Sequence, residues 1–466
     1  MIIYNTLARK TEQFKPIGDK VKIYTCGMTV YSHPHIGNWV AFIYWDVLVS
    51  ALKSAGFNTE RVQNITDVGH LTSDEDAGED KMLKGAFKEG KSAWEIAEKY
   101  INIATTEAQQ LNLSKPDHMP RATEYINEQI QFVKELEGKG LTYRLSDGVY
   151  FDTSKLKNYG ELARLDIGGL RFGARVKDTG KKNPTDFAVW KLSSPNEKRD
   201  MEWDSPWGIG FPGWHLECSV MAREILGDQI DIHTGGIDLI PVHHTNEIAQ
   251  TEALTGKTFS NYWVHVNHLK VNGTKMSKSL GNVYTLQDII NKGFSPIAFK
   301  LLILSKHYRT EGNFTWEIMQ AAQNRLKHWQ SVAALKWQPL SKEPSEALNN
   351  VEQAIKHDIT NNLLNDLDTP AAISSIDKRL SEIYSTGISK QNVEAFKRYL
   401  NAIDGAFRLD LSGQTDISVD LKKLLEQRSL ARRQKDWVKA DRLRDRLKEQ
   451  GIEVDDTSNG QIWTRS

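Results

Sequence analysis

Only two cysteines occur in the 466 residues, Cys26 and Cys218. That is too few for a disulfide framework in a chain of this size, and in a reducing compartment thiolate chemistry is the better use of the pair. Net charge is missing too. Sixty Lys and Arg balance 60 Asp and Glu, so a nucleic-acid surface has to be a local patch rather than a property of the whole chain. No apolar run reaches the roughly 18 residues that a membrane span needs, and the opening MIIYNTLARKTEQF holds no apolar stretch of the signal-peptide kind. The expectation is a soluble, cytoplasmic, monomeric protein with no membrane partner. What is present, 39% hydrophobic residues, is enough for a large core spread over two to four domains.

The chain is organised around Cys26-Gly-Met-Thr-Val-Tyr-Ser-His-Pro-His-Ile-Gly-Asn38, which follows a β-branched run from Val21 to Thr25. Val40, Ile43, Tyr44, Val47, Ala51 and Leu52 then recur at helical spacing between Trp39 and Ala55, with Gly56 as C-cap, and Thr59 to Ile65 reads as a second strand. Strand, turn, helix and strand make a βαβ unit, whose first turn is where such folds bind a nucleotide. Gly37 permits close backbone approach, Asn38 can cap the helix, and free N–H groups there suit a phosphate. His35 stands just before that turn, placed to donate to phosphate oxygens.

A second half begins at Gly213. Trp214 to Leu226 is apolar at helical spacing, contains Cys218 and stops at Gly227; Ile230 to His233 is a short strand. Thr234-Gly235-Gly236-Ile237-Asp238 follows at its carboxyl end, and backbone glycines with an acid are what a ribose hydroxyl pair needs. His243 and Glu247 stand four apart at the start of a helix running from Asn246 to Leu254. The spacing puts both on one face, as zinc helices require and as a plain surface hydrogen bond also would. His244 points about 100° away from them on a regular helix. Thr66 and Asp67 read either as pocket lining or as a polar strand end. Asp74 to Asp80 reads as a solvated acidic loop without calcium-loop spacing.

Between the halves, Ser92 to Leu113 and Ala122 to Leu141 read as amphipathic helices, and Asp147 to Asp152 and Asp186 to Lys191 as short strands. They form a connecting insertion over about 92–205. Asn261 to Val271 reads as a strand and Leu286 to Lys306 as a helix. From Trp316 to Arg408 the pattern is wholly helical, broken at Asn365-Asp-Leu-Asp-Thr-Pro370, and Leu411 to Asp416 reads as a linker. Beyond it, Leu421 to Lys448 carries eleven Lys and Arg against Glu426, Asp436, Asp441 and Asp445, a basic face suited to phosphates. A hairpin from Ile452 to Trp463 ends the chain, with Trp463 expected to pack it rather than stack on a base.

His35-Ile36-Gly37-Asn38 resembles the HIGH signature of class I aminoacyl-tRNA synthetases, with Asn in the last place, and Lys275-Met276-Ser277-Lys278-Ser279 matches the partner signature KMSKS. The stretches Cys26 to Tyr31, Gly213-Trp-His-Leu-Glu-Cys218 and His243-His-Thr-Asn-Glu247 are similar to cysteinyl-tRNA synthetases, and the resemblance runs from Met1 to the Trp463 region. It implies an α/β fold: a Rossmann-type catalytic domain over 1–315 carrying the insertion, an α-helical bundle over 316–410 for the anticodon stem, and a small basic C-terminal domain over 417–466 for the anticodon. It implies one zinc ion on Cys26, Cys218, His243 and Glu247. ATP, with Mg2+, would be held by His35, Gly37, Asn38, Gly235, Gly236, Asp238 and Lys278. His35 and Lys278 would be catalytic with Lys275 assisting, and Thr66 and Trp214 would contact the amino acid. The partners implied are tRNA(Cys) and L-cysteine.

Two other functions use parts of this set. A ligase that adenylates cysteine and passes it to an amino-sugar would share the zinc set and both ATP motifs, but it has no use for the basic tail from Leu421 to Trp463. A non-catalytic zinc and RNA-binding paralogue draws support only from Asn38, against which stand Lys278, Gly235, Gly236 and Asp238.

Overall fold

The computed structural model of the chain describes residues 1–69, 90–165, 180–194 and 199–465; the acidic stretch Asp74–Asp80 lies outside the described residues. The chain divides into two compact units, one of residues 1–45, 55–288 and 308–313, the other of residues 46–54, 289–307 and 314–466.

In the first unit, Ser260–Val266, Ile230–Gly236, Lys20–Thr29 and Asn58–Thr66 lie side by side in that order as a parallel sheet. Val21, Ile23, Ile230 and Ile232 are fully or almost fully buried, as strands covered on both faces require. The strand order reverses between Lys20–Thr29 and Ile230–Gly236. At such a switch point the carboxyl ends of the strands open a crevice for a ligand. The helix Ile36–Ser54 crosses from the first of these strands to the next, and Gly56, at φ +87°, turns the chain back into Asn58–Thr66.

The strand carrying Cys26 is not regular. Its register with the neighbouring strand shifts between Thr25 and Met28, and Gly27 donates its N–H to Asn64 Oδ1 at 2.7 Å. A Cβ on Gly27 would fall 1.6 Å from the Asn64 carbonyl oxygen, so only glycine fits. Such a bulge re-aims the neighbouring side chain, here Cys26.

The segment between the halves begins with the helix Ala93–Gln110, where Ser92 and Glu95 make a reciprocal capping box. The helix Ile126–Gly138 follows, then an antiparallel sheet ordered Thr142–Leu145, Gly148–Phe151, Phe187–Leu192 and Gly210–Pro212. Phe132, Leu136, Phe151 and Trp190 pack with Leu216 and Val220 of the helix Trp214–Leu226, which anchors the site-bearing helix in a rigid apolar wall.

The second unit is mainly helical. Trp316–Ala333 is capped by Thr315, Thr369–Thr386 by Asp368 with a proline in its first turn, and Val393–Phe407 ends on Arg408 in the left-handed region. The break expected at Asn365–Pro370 is built from Asp366 and Leu367, both at positive φ. The long helix expected from Leu286 to Lys306 is instead two, Leu286–Asn291 and Pro296–Leu304. Gly293 at φ +82° ends the first, and Ser295 caps the second with Pro296 just inside it. Val419–Arg433, Trp437–Glu449 and the hairpin Ile452–Thr457/Gly460–Arg465 form the last module. Trp463 is buried in its core with Leu425, Leu447, Ile452 and Val454. No helix among the described residues is long and apolar enough to cross a membrane.

Candidate active site

Cys26 on its bulged strand, Cys218 in the helix Trp214–Leu226, and His243 and Glu247 after the strand Ile230–Gly236 meet at the switch point. Their ligand atoms all lie within 4.8 Å of one another, and all four residues are buried. The two Sγ atoms are 3.9 Å apart, far beyond a disulfide and close to the about 3.8 Å edge of a tetrahedron with Zn–S of about 2.3 Å. Glu247 Oε1 is 3.0 Å from His243 Nε2 and 3.8 Å from Cys26 Sγ. Two soft sulfurs, an imidazole and a carboxylate fit a zinc ion in both chemistry and spacing.

The ionisation of these groups is set by burial and by one another. Burial opposes charge on His243, but the Glu247 carboxylate beside it pushes its pKa up to about 10. Burial likewise opposes ionisation of Glu247, and His233 and His243 together hold it down at about 2. Of the thiol pair, Cys218 is pushed down to about 7, first by its hydrogen bond with Cys26. Burial and the neighbouring Cys218 push Cys26 well up. One proton of the pair is thus the easier to lose, and a metal-bound thiol loses its proton outright.

His244 is not turned away. Ile240–His244 is a π-helical turn leading into the helix Thr245–Thr255. The extra residue in the turn changes the angular step that a regular helix would impose. His244 is therefore buried in the site, its Nε2 3.3 Å from Cys26 Sγ. Three further histidines complete the surroundings. His215 Nδ1 lies 3.0 Å from His243 Nδ1, His265 Nε2 lies 2.7 Å from His244 Nδ1, and His233 Nε2 lies 2.8 Å from Glu247 Oε2. The sequence signal for them is histidine inside otherwise apolar strands and helices, as in Tyr262-Trp-Val-His-Val266.

The two ATP-type signatures are in contact. Ile36 donates its N–H to the Tyr284 carbonyl at 2.8 Å, and His35 bridges to Thr285. In the KMSKS loop, Asn282 accepts from Ser277 N–H at 2.8 Å and donates to Thr274 Oγ1 and the Lys275 carbonyl. Lys275 is exposed. Lys278 opens the single turn Lys278–Leu280; the role expected of its side chain lies outside the described residues. Asn38 is the third residue of its helix, and its Oδ1 reaches back to the His35 N–H at 2.9 Å, which is half of a capping box.

Gly235 and Gly236 do not form a loop after the strand: Ile230–Gly236 pairs with Ser260–Val266 through both of them. Asp238 follows in the turn Ile237–Leu239 and is exposed. Its carboxylate folds over Gly236, where a Cβ would lie 2.3 Å from Asp238 Oδ1. Thr66, buried at the end of its strand, accepts from Asn64 Nδ2 at 3.0 Å. Asp67 accepts from Thr123 N–H and Oγ1, yet burial pushes it up to about 6. Trp214 opens its helix with its ring 4.4 Å from that of His243. In the C-terminal module Lys439, Arg442, Arg444, Arg446 and Lys448 are exposed, whereas Arg428 is buried and bound to Asp456 and Gln461.

The chain resembles known proteins over nearly its whole length. Residues 13–324 match the family described as tRNA synthetases class I (C) catalytic domain, and residues 414–463 match the cysteinyl-tRNA ligase anticodon binding domain. The cysteine–tRNA ligase of Treponema denticola is 41% identical, with 99% of each chain covered. Cysteine–tRNA ligase 1 of Burkholderia lata is 43% identical, over 99% of this chain and 96% of the relative. The ligase of Finegoldia magna is 40% identical over the full length of both. Among solved structures, methionyl-tRNA synthetase of Mycobacterium tuberculosis with methionyl-adenylate superposes with a TM-score of 0.61 at 12% identity. It covers 85% of this chain and 93% of that one, a likeness of fold alone.

Proposed function

The chain belongs to the cysteine–tRNA ligases, class I aminoacyl-tRNA synthetases, and on that footing we propose that it selects L-cysteine through a zinc ion held by Cys26, Cys218, His243 and Glu247. The observation that carries this reading is the convergence of those two thiols, imidazole and carboxylate within 4.8 Å, all buried. Zinc, when bound, supplies a borderline-soft site that favours a thiolate over a hydroxyl. Shape alone separates cysteine from serine weakly.

The chain's residues do the rest. The cysteine carboxylate attacks the α-phosphorus of ATP and pyrophosphate leaves; a hydroxyl of the terminal ribose of tRNA(Cys) then attacks the carbonyl carbon of cysteinyl-adenylate, and AMP leaves with the breaking of the acyl–phosphate bond. His35, Lys278 and Lys275 donate to the phosphate oxygens on which charge builds, with Mg2+ accompanying the nucleotide. Preorganised donors of this kind are worth about 10²–10³-fold each. Gly37 lets the phosphates approach the helix N-terminus, where Asn38 leaves its amide N–H groups facing outward. Gly235 and Gly236 lie against the nucleotide and Asp238 accepts from the ribose hydroxyls. Thr66 and Trp214 close around the amino acid. The exposed cations of the C-terminal helices meet tRNA phosphates.

Charging of total tRNA with labelled cysteine, and with labelled serine alongside, tests the proposal. Cysteine without serine on tRNA is the expected result, together with one zinc per chain. Zinc-free protein that still prefers cysteine would overturn the metal's role. Cysteine-driven pyrophosphate exchange without any charging would favour the amino-sugar ligase.

A further inference from the structure

Six donor side chains, not four, gather at this point, Glu247 among them. A second set of four, Cys26, His233, His244 and Glu247, also has all its ligand atoms within 4.8 Å of one another, and all four are buried. It shares Cys26 and Glu247 with the first set and puts His233 and His244 in place of Cys218 and His243. The geometry points to a metal centre with two overlapping ligand sets, in which His244 is a further ligand. This inference rests on the zinc reading given above.

The hydrogen bonding of the ring supports it. A metal-binding imidazole almost always has its second nitrogen held by a partner, which fixes the tautomer and the ring plane. His243 is held in this way by His215 at 3.0 Å. His244 is held equally well: its Nδ1 meets His265 Nε2 at 2.7 Å, and His265 Nδ1 meets Thr6 Oγ1 at 2.8 Å. That chain leaves His244 Nε2 facing Cys26 Sγ at 3.3 Å and Glu247 Oε1 at 3.9 Å.

The backbone also makes room for the ring. A Cβ on Gly235 would lie 2.6 Å from His244 Cε1 and 2.9 Å from its Nε2, so this glycine is a positioning residue for His244. The π turn Ile240–His244 brings the two adjacent histidines into one site, and such turns cluster at functional positions. Cys26 and Glu247 are common to both sets. A cation can therefore stay bound through them while Cys218 and His243 exchange with His233 and His244.

The test uses the full chain, stripped with a chelator and titrated with Co2+, with thiolate-to-cobalt absorption as the readout. Cys218→Ser should still bind one Co2+, with about half the thiolate absorption of the unaltered chain. Adding His244→Gln should lower that affinity by at least about 100-fold, and adding Gly235→Ala, which keeps every donor but displaces the ring, by about 10–100-fold. Far-UV circular dichroism of the metal-free variants checks folding, and Gly235→Ala carries the test if His244→Gln does not fold. Equal Co2+ affinity in Cys218→Ser with and without the second substitution overturns the inference, as does loss of all binding in Cys218→Ser. If the unaltered chain binds neither Co2+ nor Zn2+, the zinc reading itself fails. If it binds and Cys218→Ser does not, only the second set fails.

Discussion

Met276 closes over Gly37 so tightly that a Cβ on the glycine would lie 2.3 Å from Met276 Cε. The glycine of one nucleotide signature is thus in contact with the methionine of the other, across a chain separation that spans the whole connecting insertion. Gly37→Ala, in the first turn of the helix Ile36–Ser54, should leave stability within about 1 kcal/mol while displacing the KMSKS loop. Cysteine-dependent ATP–pyrophosphate exchange is expected to fall by about 10–100-fold with a little-changed melting temperature. An unchanged exchange rate would show that the contact has no part in the chemistry.

Cys26 belongs to both candidate ligand sets. Cys26→Ser is therefore expected to lose zinc altogether, measured by metal analysis of the purified protein, and to raise the KM for cysteine by roughly 100-fold or more. Retention of one zinc per chain would remove Cys26 from the site.

Glu107 is buried and accepts from Trp39 Nε1 at 2.7 Å; burial, opposed by that bond, pushes its pKa up to about 7 from 4.5. An acid whose folded pKa is raised contributes its full share of stability below its unfolded pKa and loses it as pH rises through the folded value. The unaltered chain should therefore lose up to about 3 kcal/mol from this group between pH of about 4.5 and 7. In Glu107→Gln, which keeps the acceptor for Trp39, that slope should vanish. Denaturant melts of both proteins across this range measure it, and parallel curves would refute the assignment.

Arg428 and Arg442 separate support of the fold from contact with RNA. Arg428 is buried and grips both oxygens of Asp456, at 3.0 and 2.9 Å, and Gln461 at 2.9 Å. Arg428→Ala should cost about 2 kcal/mol, below the usual figure for a broken buried pair because Asp456 is partly exposed. Exposed Arg442→Ala should leave stability within about 0.5 kcal/mol. It should weaken tRNA binding and lower the salt slope by about 1. Filter binding across a salt series distinguishes the two; a slope unchanged in Arg442→Ala would take that residue out of the interface.

The βαβ unit was legible because its helix repeats apolar residues at one period and ends on a glycine that has to adopt positive φ. The helix Trp214–Leu226 was legible to the residue for the same reason. Local irregularities were not. His243-His244 reads as two diverging side chains on a regular helix, and nothing in five residues announces a π turn, since its extra residue is stabilised by contacts distant in sequence. Gly235 and Gly236 look like a loop because glycine weakens strands. Here pairing with His265 and Val266, and the ring of His244, determine their conformation. The apolar run from Leu286 to Lys306 outweighed the Gly293 and Ser295-Pro296 signals that break it. His215, His233 and His265, which lie behind the candidate donors, were not legible because each sits alone within a strand or helix, where it looks like an ordinary core residue.

Cys26 and Cys218 are the chain's entire complement of cysteine, and both are in the donor set. Every new molecule therefore consumes cysteinyl-tRNA at only two codons, and under the proposed function both of them encode the pocket that tells cysteine from serine. A serine attached to tRNA(Cys) by mistake is written into the next copies at those positions and nowhere else in them. On that reading a lapse in fidelity yields copies with fewer thiols and still lower fidelity, so that accuracy would propagate from each generation of the protein to the next.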